Sequence, residues 1–265
     1  MSTEKSTAIV LRVVDFSETS AVVTLLTRDF GKITALAKGA RRKKSPFEAA
    51  LDVLAICRIV FLHKNTDAMD LLTEAKLDRR FRNRSGRLER LYAAYYVVEL
   101  LGAMTDTADP HPELYDLAEQ TLAALDQPGS DESQRILKFE LGAMKLLGQL
   151  PLLTHCVDCG REKPAIPADA LRPRRVNFGL NEGGILCTAC RRGKTNVISL
   201  SHDAWQTLVD HSDLTRACEP LDWPERISGE IRQTMNQVVS HLLGRRPRLQ
   251  PYISPTRTPS PTRKT

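Results

Sequence analysis

The sequence predicts an α+β chain in two parts: a small N-terminal β-barrel, then an α-helical domain that carries a four-cysteine, zinc-finger-like insertion. Three observations predict it. The first 80 residues break into five short runs rich in Val, Ile, Leu and Thr, the apolar period lengthens from about 2 to about 3.6 near Arg87, and two Cys-x-x-Cys pairs interrupt the helical pattern between residues 154 and 197.

The strand-like runs are Thr7–Val14, Ala21–Thr27, Lys32–Ala37, Leu51–Leu62 and Asp70–Leu77. Turn-forming residues separate them at Asp15-Phe16-Ser17-Glu18, at Arg28-Asp29-Phe30-Gly31 and along the basic stretch Lys38–Pro46. Five short strands in so few residues suit closure. The five-stranded OB-fold is the commonest compact solution with a nucleic-acid face, with an SH3-like barrel as the alternative.

From Arg87 onward Leu88, Leu91, Tyr92, Tyr95, Val98 and Leu101 or Gly102 fall on one helical stripe. Glu113–Leu125 repeats the spacing at Leu114, Leu117, Ala118, Thr121 and Leu122, and Glu132–Leu147 at Ile136, Phe139, Glu140, Ala143 and Leu147. Pro110 and Pro112 mark the start of the second helix, Pro128-Gly129 separates it from the third, and Pro151 stops that one. Helical spacing resumes at Ser201–His211, with Ser201 as an N-cap, and at Pro224–Leu243. After Gly244 the chain turns to Arg, Pro, Ser and Thr. The expected domains are therefore a barrel at 1–80, a helical domain at 81–244 with a metal site at 154–197, and a disordered basic tail at 245–265.

Ordinary globular composition, 42% hydrophobic and 26% charged, excludes a mostly disordered chain. No run approaches the roughly 18 uninterrupted apolar residues of a membrane span, and the N-terminus lacks a signal-type apolar segment, so a cytoplasmic, nucleoid-associated protein is expected. Charge is divided by position: +7 over residues 1–90, −7 over 91–240 and +6 over 241–265. A block of one sign selects partners more than it selects a fold, which makes the N-terminal part the expected polyanion binder.

Cys156-Val157-Asp158-Cys159 and Cys187-Thr188-Ala189-Cys190 are the strongest chemical signal. Two residues between thiolates let both sulfurs of a turn reach one ion, and two such knuckles complete a tetrahedron around zinc. The gap between pairs exceeds the usual ribbon spacing, and residues 163–173, with three prolines, read as an inserted excursion. Four thiolates close the coordination sphere, so the expected Zn2+ is structural. His155 is assigned no role, and Cys57 and Cys218 read as packed or inert thiols.

Lys38-Gly39-Ala40-Arg41-Arg42-Lys43-Lys44 places five cations in seven residues between two predicted strands and reads as a phosphate grip. Arg12, Arg28 and Lys32 add charge on neighbouring strands or turns, and Arg79, Arg80, Arg82, Arg84, Arg87 and Arg90 extend it into the first helix. Phe16, Phe30, Phe47 and Phe61 read as core, so binding should be led by phosphates, salt-dependent and weakly sequence-specific.

Ala8-Ile9-Val10-Leu11-Arg12, Glu18-Thr19-Ser20, Leu25-Leu26-Thr27, Gly31-Lys32 and Lys38-Gly39-Ala40-Arg41-Arg42 occur in the order of the N-terminal pattern of the RecO family of bacterial DNA repair and recombination mediators. Phe139-Glu140-Leu141, Leu147-Gly148, Pro151 and Cys156-x-x-Cys159-Gly160 resemble its later pattern. The resemblance covers nearly the whole chain apart from the tail. It implies an OB-fold, a helical domain bearing the zinc site, and no catalytic centre. It further implies binding of single- and double-stranded DNA, annealing of complementary strands, and loading of recombinase together with RecR onto DNA coated by single-stranded DNA-binding protein (SSB). Membranes and small-molecule substrates are not implied. Arg135, Lys138 and Lys145 on the third helix are candidates for contact with the acidic SSB tail. The alternative function is a zinc-ribbon nucleic-acid-binding adaptor without annealing activity. A metal-dependent nuclease would need clustered ligands with open coordination, whereas Asp15, Glu18 and Asp29 are scattered turn residues.

Overall fold

A computed structural model describes residues 2–42, 45, 47, 50–64, 69–129, 131–162, 175–212 and 225–253. Lys43, Lys44, the excursion 163–173, Cys218 and the tail beyond Ile253 lie outside the described residues. The chain forms two compact units, residues 1–135 and 136–265.

In the first unit, β1 (Ser2–Asp15), β2 (Ala21–Thr27), β3 (Gly31–Ala37), β4 (Ile56–His63) and β5 (Asp70–Arg79) close a barrel in the order β1-β2-β3-β5-β4. This is the five-stranded OB-fold. β1 serves both neighbours, pairing Ser2–Ile9 with β4 and Ala8–Asp15 with β2, and a bulge between Val10 and Arg12 increases its bend. The barrel closes through the parallel contact of β3 with β5, from Ala35↔Asp70 to Ala37↔Leu72. Inward positions alternate with outward ones, and the interior is filled by Val10, Val23, Leu25, Ile59 and Phe61 with many alanines, as a narrow barrel requires.

Two strand starts differ from expectation by several residues. β1 begins at Ser2 rather than Thr7, because its polar start is stabilised by backbone pairing with β4, a contact with no local apolar signature. β4 begins at Ile56 rather than Leu51: Leu54 has φ +74, and Ala55 N–H donates to Asp52 O (3.0 Å), so the chain turns before the strand starts.

α1 (Leu88–Met104) and α2 (Pro112–Asp126, with Pro112 in the first turn) pack together beside the barrel. Gly31 fixes one contact. Its φ is +66, and a Cβ there would lie 2.3 Å from Asp109 O, so only glycine fits. The predicted stripe of α1 is displaced: Arg90, Ala93, Ala94, Val97, Leu100 and Leu101 are buried, while Leu88 and Tyr95 are exposed. The helix is apolar nearly all round, so its sequence lacks the contrast that would mark one face.

In the second unit, β6 (Arg175–Gly179), β7 (Gly184–Leu186) and β8 (Val197–Ser201) form a sheet in the order β7-β6-β8, packed by α4 (His202–Ser212) and α5 (Glu225–Leu242). Ser201 is the N-cap of α4, accepting Ala204 N–H (3.3 Å), and its own N–H donates to Glu230 of α5 (2.8 Å). α3 (Glu132–Leu146) ends before Pro151, because Gly148 (φ +69) turns the chain and Gln149 N–H caps Met144 O at 2.7 Å. Glu140, a charge within an apolar stripe, is fully buried, and both of its carboxylate oxygens accept from one nitrogen, Nη2, of Arg232 in α5, at 2.7 and 2.9 Å. Residues 245–253, expected to be disordered, are ordered: Gln250 and Ile253 are buried around a 3-10 turn (Gln250–Tyr252), and the Gln250 amide donates to Asn236 O (2.8 Å). No helix among the described residues is long and apolar enough to cross a membrane.

Candidate nucleic-acid interface and metal centre

Two turns bring four sulfurs together. In the first, a bridge between His155 and Glu162 closes a hairpin in which Cys156 N–H donates to Arg161 O and Gly160 N–H to Cys156 O, both at 2.8 Å. Gly160 sits at φ +66, where another residue would be strained. The second turn follows β7, with Arg191 N–H donating to Cys187 O (3.0 Å) and Cys190 N–H reaching Cys187 Sγ (3.5 Å). Val157 N–H to Ile185 O (2.9 Å) and Cys187 N–H to Cys156 Sγ (3.4 Å) tie the turns to each other. The stretch between the two pairs is thus spent partly on the β6–β7 hairpin.

The Sγ atoms of Cys156, Cys159, Cys187 and Cys190 all lie within 4.8 Å of one another, and Cys159 and Cys187 are 3.9 Å apart. A tetrahedron with metal–sulfur bonds of about 2.3 Å has edges of about 3.8 Å, so the donor set fits a four-thiolate cation site. Burial pushes the Cys156 thiol up, but backbone N–H groups of Cys187, Cys159 and Asp158 outweigh it and bring the value down to about 6. The Cys190 backbone N–H lowers Cys187 in the same way, whereas the Cys190 thiol, hydrogen-bonded to Cys187, is pushed up to about 12. The backbone is therefore already arranged to hold thiolate charge. His155 bonds to Thr154 Oγ1 (2.8 Å) and stands outside the group. Among the described residues no other cluster of His, Cys or carboxylates has metal-ligand spacing. Cys57 is buried, donates to Ala50 O (3.3 Å) and is pushed up to about 12 by burial, which makes it an inert thiol.

The basic residues read from the sequence divide into two sets. Arg28 forms a bidentate pair with Asp116 of α2, both bonds at 2.9 Å, and this bond holds the Asp116 carboxyl below its ordinary range. Lys32 donates to Gly102 O (2.9 Å) and to Thr105 O at the C-terminal end of α1, and burial lowers its pKa. Arg79 pairs with Glu119 (2.9 Å) and Arg80 with Asp52 (2.8 Å). Farther on, Arg84 pairs with Asp126, and Arg87 and Arg90 with Glu132. Much of this cationic run therefore joins barrel, linker and helices through the acidic residues that follow.

Arg12, Lys38 and Arg42 form the second set: they are exposed and make no ion pair among the described residues. Arg41 is exposed too, but it is engaged within the fold. Its side chain binds Ser17 O (3.0 Å) and Asp15 (3.2 Å), and its backbone N–H donates to Thr19 O (3.1 Å), bracing the β1–β2 loop. Gly39 has φ +75 and turns the chain so that Arg42 N–H meets Gly39 O (3.1 Å).

The sequence reading missed the surface beside these cations. Phe30, Phe47 and Phe61 are core or packed against it, but Phe16 is 64% exposed. Next to it Val14, Val22, Leu36 and Leu71 form one cross-strand row on the outer face of β1, β2, β3 and β5. Met69, 40% exposed, and Lys64 join Phe16 and Lys38 around a hollow of about 300 Å³. An aromatic placed in a turn between Asp15 and Ser17 was the available signal, since a turn residue has little core to enter.

On α3, Lys145 is exposed with its Nζ 3.3 Å from Ser212 O, and Arg135 and Lys138 are half-buried. Burial keeps His211 below its ordinary value, and the Lys138 charge acts in the same direction.

Comparison with known proteins matches both parts of the chain. The model of the recombination protein O N-terminal domain covers residues 1–81, and that of its C-terminal domain covers residues 85–251. A curated relative from Rhodopirellula baltica, named DNA repair protein RecO, is 39% identical over 269 residues, covering 93% of this chain and 97% of its own length. Proteins of the same name from Anaeromyxobacter dehalogenans and Bacillus pumilus are 32% and 29% identical, over 93% and 91% of the chain. With the matches spanning the barrel and the four-cysteine unit alike, the chain belongs to the RecO family.

Proposed function

We propose that the protein is a non-enzymatic DNA repair and recombination mediator. It binds single- and double-stranded DNA, anneals complementary strands and, with RecR, helps load recombinase onto SSB-coated DNA. The observation that carries the reading is family membership over both domains, at 39% identity to a DNA repair protein across 93% of the chain. The geometry narrows it. Arg12, Lys38 and Arg42, which are exposed and make no ion pair among the described residues, grip phosphates together with Lys43 and Lys44, which follow in sequence, while Arg28, Lys32, Arg79 and Arg80 serve the fold first. Cations that hold phosphates leave base edges free to pair, which annealing needs. Zn2+ occupies the four-cysteine site in a structural role, and Arg135 and Lys145, with Lys138, offer cations on α3 to the acidic SSB tail.

Annealing of complementary oligonucleotides, bare and SSB-coated, without any nucleotide cofactor, tests the reading. The wild type should accelerate annealing of both substrates, and the Arg12→Ala/Lys38→Ala/Arg42→Ala variant should lose most of that acceleration. Absence of acceleration by the wild type would favour a zinc-ribbon adaptor instead.

A further inference from the structure

The hollow at Phe16 is more than a gap between loops. It lies where the β1–β2 loop approaches the end of β4 and the start of β5, with Leu36 and Leu71 forming its floor through the β3–β5 pairing. Exposed apolar surface is costly to leave in water, and here an aromatic ring and a thioether stand at its rim without packing into the barrel core. The loop bearing Phe16 is not loose: Phe16 N–H donates to Ser20 O (3.0 Å), and Arg41 holds Ser17 and Asp15. A ring held in place pays little ordering entropy on stacking. Lys38 and Lys64 flank the hollow and form no ion pair among the described residues. The one carboxylate at its edge, Asp70, accepts Lys64 N–H (2.9 Å) and faces His63 (3.2 Å), so it is occupied within the fold.

We infer that this hollow is a seat for an unpaired nucleobase, stacked on Phe16 against Met69 and Leu36, with Lys38 and Lys64 on the flanking phosphates. The occupant follows from the combination: a flat apolar face takes any base, and paired cations beside it require a polyanion. A base inside a duplex cannot reach the seat without unstacking, so the seat distinguishes single strands from double strands, which the phosphate grip alone does not. The inference rests on the DNA-binding reading above and adds to it a specific, strand-selective site.

The test compares the full-length wild type, Phe16→Ala and Phe16→Tyr in binding a labelled oligothymidylate, a duplex of equal length, and an abasic oligonucleotide with the same number of phosphates. Phe16→Ala should weaken oligothymidylate binding about tenfold, or about 1.4 kcal/mol, the scale of one stacked base. Duplex binding should stay within about twofold and the salt slope should not change, because no phosphate contact is removed. Phe16→Tyr should bind like the wild type, and the wild type should bind the abasic strand as weakly as Phe16→Ala binds oligothymidylate. Equal loss on single strand and duplex, no loss at all, or a wild type indifferent to abasic sites would overturn the seat while leaving DNA binding intact. Unchanged DNA affinity with lost SSB capture would make the hollow a protein dock and would also overturn it. If the wild type bound no DNA, the functional reading itself would fall.

Discussion

Cys156→Ser should unfold the region from Leu152 to Ser201 while leaving the barrel intact. The apolar cluster at the sulfurs consists of Cys156, Leu186 and Cys187 with Val157, Cys190 and Val197 packed against it, so the two cysteine turns have little apolar surface of their own to offset their ordering, although the sheet also packs on α4 and α5. In the proposed reading a bound Zn2+ supplies the difference, and structural zinc binding is worth about 10–16 kcal/mol in small zinc-finger peptides. Hydrogen exchange checks this by segment. Protection of β6, β7 and β8 should collapse in the variant, and equally in wild type treated with a strong chelator, while β1 to β5 keep theirs. Unchanged protection in both would show that the four thiols hold the sheet unaided.

Glu140→Ala should cost about 3–5 kcal/mol, because it strands the Arg232 guanidinium, 8% exposed, without its carboxylate. At roughly 2–4 °C per kcal/mol for a domain of this size, the melting temperature should fall by about 10 °C. Arg232→Ala should cost a similar amount for the converse reason. Replacing both residues with methionine should recover most of the loss, since an apolar pair of matched volume carries no desolvation cost. Thermal unfolding of the three variants decides it. A fall below about 1 kcal/mol for Glu140→Ala would mean that water reaches the pair.

Legibility in the sequence followed the range of the interactions. The strands of the barrel were readable because inward and outward residues alternate within a few positions, and the cysteine cluster because each knuckle is a local turn. Glu140 was a legible anomaly, a carboxylate in an apolar stripe, although its partner lies 92 residues away. The roles of Arg28 and Arg79 were hidden for the same reason: Asp116 and Glu119 stand 88 and 40 residues along the chain, so a run of cations looked free when it was paired. The α1 face was illegible because a helix apolar on every side carries no contrast. Phe16 was hidden by a general rule, since phenylalanine usually enters a core and composition does not say which one does not.

We propose that a few exposed cations of the barrel unit, which make no ion pair among the described residues, hold nucleic acid, and not the whole basic run. The salt dependence of single-strand binding tests it most directly, because each phosphate neutralised contributes about 0.7 to the slope of log K against log salt. Replacing Arg12, Lys38 and Arg42 by alanine should flatten the slope by about 2 and weaken binding at moderate salt. An unchanged slope in that variant would contradict the account and move the grip elsewhere on the molecule.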